Sequence, residues 1–178
     1  MLIAGEIDQP REIPTKEDLK SPILWLCQAH ALTEAASAPI KTQPPWESLP
    51  PFARGVCDCQ YCAVALMLVG YSIETCLKAM LIIEHGVEEY IAREKDFYHH
   101  KLEKLGSFLP ALSLKDKAIL RALTHFTMWA GRYPDPGSNR TEQATEIFNL
   151  AEKYKITGSD LFDLAARVMK HVQTMTEK

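Results

Sequence analysis

Glu74 and Lys78 stand four residues apart inside the most apolar stretch of the chain, between Ala63–Val69 and Ala79–Ile83. Residues i and i+4 share one face of a helix, and glutamate before lysine is the order that favours an ion pair. At about 100° per residue, Met67, Lys78, Leu81 and His85 fall within about 40° of Glu74, with Tyr71 about 60° away. Two readings stay open. The pair sets helix register as a partly buried salt bridge, or Tyr71, Glu74 and Lys78 form the floor of a polar site whose neighbours shift their proton affinities.

Other residues carry usable chemistry. Arg132, followed by Tyr133 and Pro134, suits bidentate recognition of a phosphate or carboxylate, with Tyr133 shielding the guanidinium. It is equally suited to bonding the last carbonyls of the preceding helix, or Glu74. His99 and His100 head a short helix, where imidazoles serve as surface residues, caps or proton-transfer groups. Cys57, Cys59 and Cys62 invite a metal, but a tetrahedral thiolate site needs a fourth ligand and a matching second pair, and the sequence supplies neither. They read as cysteines packed at the start of a helix, Cys27 and Cys76 as small core residues, and no metal or cofactor is expected.

The chain has 178 residues, 47% of them hydrophobic, and a formal net charge of -3. That length supports one substantial core. The acidic balance argues against indiscriminate attraction to phosphate backbones. No basic region, apolar run and cleavage site open the chain, and five cysteines without an export signal read as reduced thiols, so a cytoplasmic protein is expected. Cys62 to Ile83 is long enough to cross a bilayer, but unpaired charges at positions 74 and 78 would each cost about 2.5–3.5 kcal/mol there. A buried bundle helix, with no membrane partner, is the better reading.

The elements that must position these groups follow from periodicity and breakers. Residues 1–20 read as an irregular N-terminal arm, and 21–178 as one helical domain. Ser21 and Pro22 open a helix with Ile23, Leu24, Leu26, Cys27, Ala31 and Leu32 as its apolar stripe, ending near Pro39. Pro39 to Pro51, with five prolines, reads as a loop bearing Trp46. The central helix runs from about Val56 to His85, and Gly86 breaks it. Further helices are expected over 87–93, near Leu102 and Leu105, over 114–128, over 141–154, and from Ser159 or Asp160 to about Val172, where one of that pair caps. The 114–128 helix should bury Leu114, Ala118, Ile119, Leu120, Leu123, Phe126 and Thr127. Period-two alternation is absent, so the class is all-α, an up-and-down bundle of four to six helices.

Tyr71-Ser72-Ile73-Glu74-Thr75-Cys76-Leu77-Lys78-Ala79, followed by His100-Lys101-Leu102-Glu103-Lys104-Leu105, resembles the HEPN superfamily of helical bundles (higher eukaryote and prokaryote nucleotide-binding domains). There a Glu-x3-Lys helix precedes a His-x-Leu-x2-Leu turn, and the resemblance spans about residues 56–172. It implies a four- or five-helix bundle, often a homodimer, in bacterial toxin–antitoxin, abortive-infection or nucleotidyltransferase-partner systems. Many members are metal-independent ribonucleases whose signature is an arginine followed four to six residues later by a histidine, usually with a polar residue directly after the arginine.

Arg121-Ala122-Leu123-Thr124-His125 lies in the corresponding helix but has three intervening residues and an apolar Ala122. Arg93 to His99 or His100 meets the spacing in an unexpected place, and Arg167 to His171 repeats the shorter spacing. If the chain were active, His125 or His100 would take the 2′-hydroxyl proton while Arg121 or Arg132 stabilised charge on the phosphate. The acidic balance and imperfect motif favour a non-catalytic module that binds a nucleotide or RNA through Tyr71, Glu74, Lys78, His100, Arg132 and Tyr133. A ribonuclease using Arg121 and His125 is the alternative, and a structural dimerisation or protein-interaction domain is a third.

Overall fold

The computed structural model describes residues 13–42, 46–138 and 140–176, which contain helices and no strand. In chain order they are α1 (Lys16–Leu19), α2 (Pro22–Lys41), α3 (Pro51–His85), α4 (Val87–Ala92), α5 (Glu94–Phe97), α6 (Leu102–Leu105), α7 (Leu114–His125), α8 (Thr141–Tyr154) and α9 (Gly158–Thr176). The fold is an all-α bundle assembled around α3.

Helix α3 starts at Pro51, five residues earlier than expected, because proline at the first helical position gives up an N–H that has no intrahelical acceptor. It is the one described helix apolar and long enough to cross a membrane, and 61% of its most apolar window is buried within the bundle. Helix α2 runs antiparallel to it. Thr33 Oγ1 lies 2.7 Å from Ser72 Oγ, Ser72 Oγ donates to Ala29 O at 2.8 Å, and Trp25 meets Tyr90 edge-on.

The buried face of α2 is small, with Ala29 and Ala36 almost wholly enclosed. The expected stripe is therefore displaced. Ile23 and Leu24 are 70% and 54% exposed, and Cys27 and Ala31 are also exposed. Close approach to α3 selects alanine, serine and threonine rather than the larger side chains. Ser21 makes no side-chain cap, and α2 continues through Pro39 to Lys41. In the last turn a proline forfeits one backbone bond without breaking a following ladder.

The described end of the expected arm is not irregular. Thr15 and Asp18 form a capping box on α1, Trp25 Nε1 donates to Leu19 O at 2.9 Å, and Lys20 pairs with Glu94. Residues 1–12 of the arm lie outside the described residues.

Two glycines let the second half of the bundle close on α3. A Cβ at Gly70 would lie 2.5 Å from Thr127 Cγ2, and one at Gly131 would lie 2.2 Å from Met67 Cβ. Between these contacts α7 passes into a π-helical turn, Phe126–Ala130, closed by Gly131 N–H donating to Phe126 O at 3.2 Å. The helix thus runs to Ala130, two residues beyond its expected end at position 128. Ala118, Ile119, Leu120 and Leu123 enter the core as expected, whereas Leu114, in the first turn, is 72% exposed.

Crossed ion pairs join the start of α7 to α9. Asp116 completes a capping box with Ser113 and is bonded by the Arg167 guanidinium, while Lys115 Nζ lies 2.7 Å from Asp160 Oδ2. Burial alone would raise the proton affinity of Asp116, but the bonds from Arg167 and Ser113 outweigh it and hold the carboxyl below its ordinary range. Bonds from Lys115 and Thr157 bring Asp160 down to about 2. Thr157 is the residue that caps α9. Its hydroxyl accepts from Asp160 N–H at 3.4 Å and Asp160 Oδ2 accepts Thr157 N–H at 2.7 Å, so Asp160 is the third-position partner rather than the cap. Leu161, Leu164, Ala165 and Val168 then face the core.

Candidate functional site

Glu74 is 6% exposed and Lys78 9%, so both charges lie within the bundle. Lys78 Nζ donates to Glu74 Oε1 at 2.8 Å, and Glu74 Oε2 is 2.8 Å from His100 Nδ1. A carboxylate offers only acceptors, so this contact places the imidazole proton on Nδ1. The His100 side chain is 46% exposed, and its Nε2 is the ring nitrogen left for other partners. Tyr71 meets the same ring edge-on, with centroids 6.0 Å apart, and its hydroxyl donates to Thr127 O at 3.0 Å.

Local structure explains this convergence. The Glu74–Lys78 spacing comes from α3, and His100 is brought over it by α6, whose Leu102 and Leu105 are buried against the core. Leu102 N–H donates to Thr124 Oγ1 at 3.1 Å, which ties the turn to α7. Of the residues expected to form the polar site, Tyr71, Glu74, Lys78 and His100 come together.

Arg132 and Tyr133 stay outside. Both are exposed. The Arg132 guanidinium bonds Met128 O, closing the last turn of its own helix, and lies 5.7 Å from the Tyr133 ring centroid. His85, on the Glu74 stripe by periodicity, is also diverted. Its Nδ1 is 3.6 Å from Glu89 Oε1 and its ring stacks on Phe97.

Arg121 and His125 occupy one face of α7, as their four-residue separation requires, but carboxylates hold both. Arg121 Nε and Nη2 donate to Glu103 Oε2 at 3.1 and 3.0 Å, and His125 Nε2 lies 3.0 Å from Glu146 Oε2. Glu146 Oε1 is 4.0 Å from Arg121 Nη1. Sequence reasoning missed Glu103 and Glu146. Glu103 was visible inside the His-x-Leu-x2-Leu turn, whereas nothing local connects Glu146 on α8 to α7.

His99 is distinct from His100. Its Nδ1 accepts Lys101 N–H at 3.2 Å, and its Nε2 is buried without a partner. Burial, followed by the nearby Lys104 charge, lowers its proton affinity.

Two clefts border α6. One, of about 440 Å³, is lined by Lys101, Glu103, Lys104, Arg121 and Thr124. The other, of about 450 Å³, lies between the end of α3 and the segment 93–108.

The described His, Cys, Asp and Glu side chains form no group of three or more arranged to hold a metal ion. Cys59 and Cys62 are exposed, Cys57 is half-buried, and Cys76 is fully enclosed, its thiol pushed up to about 12 by burial.

Comparison with family models, curated proteins and solved structures gives no match.

Proposed function

We propose that this chain is a HEPN-like helical module that binds a nucleotide or an RNA segment in a bacterial defence or toxin-type system, without an intact catalytic motif. A cytoplasmic homodimer beside a nucleotidyltransferase-type partner belongs to the same reading. The observation that carries it is the contact between His100, at the head of the His-x-Leu-x2-Leu turn, and Glu74 of the Glu-x3-Lys helix. The two sequence pieces of the resemblance are distant in the chain and joined by one hydrogen bond.

The cleft lined by Lys101, Lys104, Arg121 and Thr124 adjoins that turn and presents cations with a hydroxyl, a combination suited to a phosphate. A phosphate entering it competes with Glu103 for Arg121. That competition, with His125 held by Glu146, argues for binding rather than cleavage. The test is fluorescence anisotropy of a labelled single-stranded RNA, with AMP and ATP as competitors. Binding should weaken with salt and fall about tenfold or more in Lys101→Ala/Arg121→Ala. An RNA affinity unchanged in that variant would overturn the assignment.

A second reading, a metal-independent ribonuclease, is favoured by the Glu74–His100 geometry. A carboxylate that fixes the Nδ1 proton presents Nε2 of a half-exposed imidazole as a base. On this reading His100, rather than His125, takes the 2′-hydroxyl proton, and Arg121 released from Glu103 stabilises the phosphate. Cleavage of RNA in EDTA that survives His125→Ala and is lost in His100→Ala would establish it.

A further inference from the structure

The larger cleft, of about 450 Å³, falls within the size range of small-molecule sites, and His99 forms part of its wall. Lys101 N–H donates to Nδ1 of that ring at 3.2 Å, so Nδ1 presents its lone pair and the neutral imidazole carries its proton on Nε2. This N–H donor is shut off from solvent and has no acceptor among the described residues. Water satisfies an exposed charge, whereas a buried donor without an acceptor carries its full desolvation cost. An acceptor supplied from outside the chain removes that cost.

The surroundings select the kind of acceptor. Burial, and then the ammonium charges of Lys104, Lys78 and Lys101, hold the proton affinity of His99 down. The ring therefore stands in a positive field, which favours an anion over a neutral acceptor and disfavours a metal cation. Of the carboxylates on the lining, Asp96 is already 3.7 Å from Arg93 Nε. Much of the wall is apolar, built by Leu81, Phe97, Leu105 and Phe108. Phe97 is already stacked on Tyr90 and His85, so a flexible alkyl chain suits this wall better than another ring.

We propose that this cleft binds a medium-chain aliphatic carboxylate, with a carboxylate oxygen accepting the His99 Nε2–H and the alkyl chain lying against Leu81, Leu105 and Phe108. The oxygen meets the orphaned donor, its charge answers the lysines, and the chain covers the apolar wall. Reaching Nε2 means parting the side chains over it, and Lys104 and Ser107 are exposed members of the lining that can swing aside. The cleft is distinct from the one assigned to phosphate, and its occupant does not depend on the nucleotide reading, although Lys104 borders both cavities.

The experiment is isothermal titration of the intact chain with octanoate, alongside octanamide, acetate and AMP, with the His99 ring nitrogens followed by nitrogen NMR. Saturable octanoate binding is expected, weaker by about tenfold or more for octanamide, which keeps an acceptor but lacks the charge, and for acetate, which lacks the chain. The His99 Nε2 signal should shift as octanoate saturates. His99→Phe, which keeps the ring volume without the donor, should bind octanoate about tenfold or more weakly, and His99→Gln, which restores an N–H, should recover most of that loss. Circular dichroism and melting temperature of each variant confirm that the bundle is intact. Absence of saturable octanoate binding in the millimolar range overturns the proposal, as does unchanged affinity in a folded His99→Phe. Should that variant not fold, an Nε2 signal in the wild type that stays still through saturation overturns it. AMP that displaces octanoate and is itself weakened by His99→Phe would give the cleft to a phosphate and overturn it too.

Discussion

His100 Nδ1 and Glu74 Oε2 are 2.8 Å apart, and the same carboxylate bonds Lys78 through its other oxygen. One buried anion therefore satisfies a buried ammonium from its own helix and a half-exposed imidazole from a turn 26 residues later. Removing Glu74 leaves Lys78 enclosed and uncompensated. Glu74→Ala is expected to destabilise the chain by about 3–5 kcal/mol in urea unfolding, and Glu74→Leu combined with Lys78→Met to recover most of that loss. His100→Ala should cost less than about 1 kcal/mol, because its partner keeps Lys78.

Glycines on α3 should respond to alanine in opposite directions. Gly70 faces Thr127 and the Leu123 carbonyl, and its Cβ would come within 2.5 Å of Thr127 Cγ2. Gly70→Ala should therefore cost about 1–3 kcal/mol. Gly55 lies in the same helix with nothing within 4 Å of where a Cβ would stand, so Gly55→Ala should stabilise by about 0.5–1 kcal/mol. Thermal unfolding of both variants checks the sign.

Asp116 links acid stability to the α7–α9 junction. Its carboxyl is held below the ordinary value of 3.8 in the folded chain, so its contribution is present above that value and is lost as pH falls through the lower folded-state value. Asp116→Asn should unfold about 1–2 kcal/mol more easily at pH 7, through loss of charge-assisted bonds. The gap from wild type should narrow on acidification below about pH 4. Urea midpoints between pH 7 and pH 2.5 measure it.

His99 should act at milder acidity. Its folded-state proton affinity lies below the ordinary value of 6.5, chiefly through burial, so the unfolded chain takes up this proton first. Its contribution to stability should decline as pH falls below about 6.5 and level off beneath the folded-state value. His99→Phe should remove that component, seen as a flatter difference curve against wild type across pH 7 to 5.

How much of this was legible in the sequence depends on the range of each interaction. The Glu74–Lys78 pair is encoded by a four-residue spacing, and the burial of Leu102 and Leu105 by a three-residue one. Both could be read directly. The Thr15–Asp18 and Thr157–Asp160 capping boxes were equally local, but an unstructured arm and a nearer candidate cap displaced them from the reading.

Other features depend on how helices meet. Ile23 and Leu24 remain outside because Ala29, Ala36 and Ser72 set a close α2–α3 approach. Arg132 bonds Met128 O because the π-helical turn keeps the carbonyl within reach. Glu146 holds His125 because α8 folds back along α7. Periodicity carries no information about which of two apolar faces receives a neighbour, nor about which distant carboxylate reaches a given cation.

Cys76 gives the bundle an internal clock. Its thiol is fully enclosed in α3, whereas Cys27, Cys59 and Cys62 are exposed. A thiol reagent therefore divides the cysteines by kinetics: the outer ones report on the reagent, and Cys76 reports on how often the central helix is uncovered. In rapid-reclosing conditions its labelling rate scales with the open population, so one native atom records the free energy of opening without a probe being introduced.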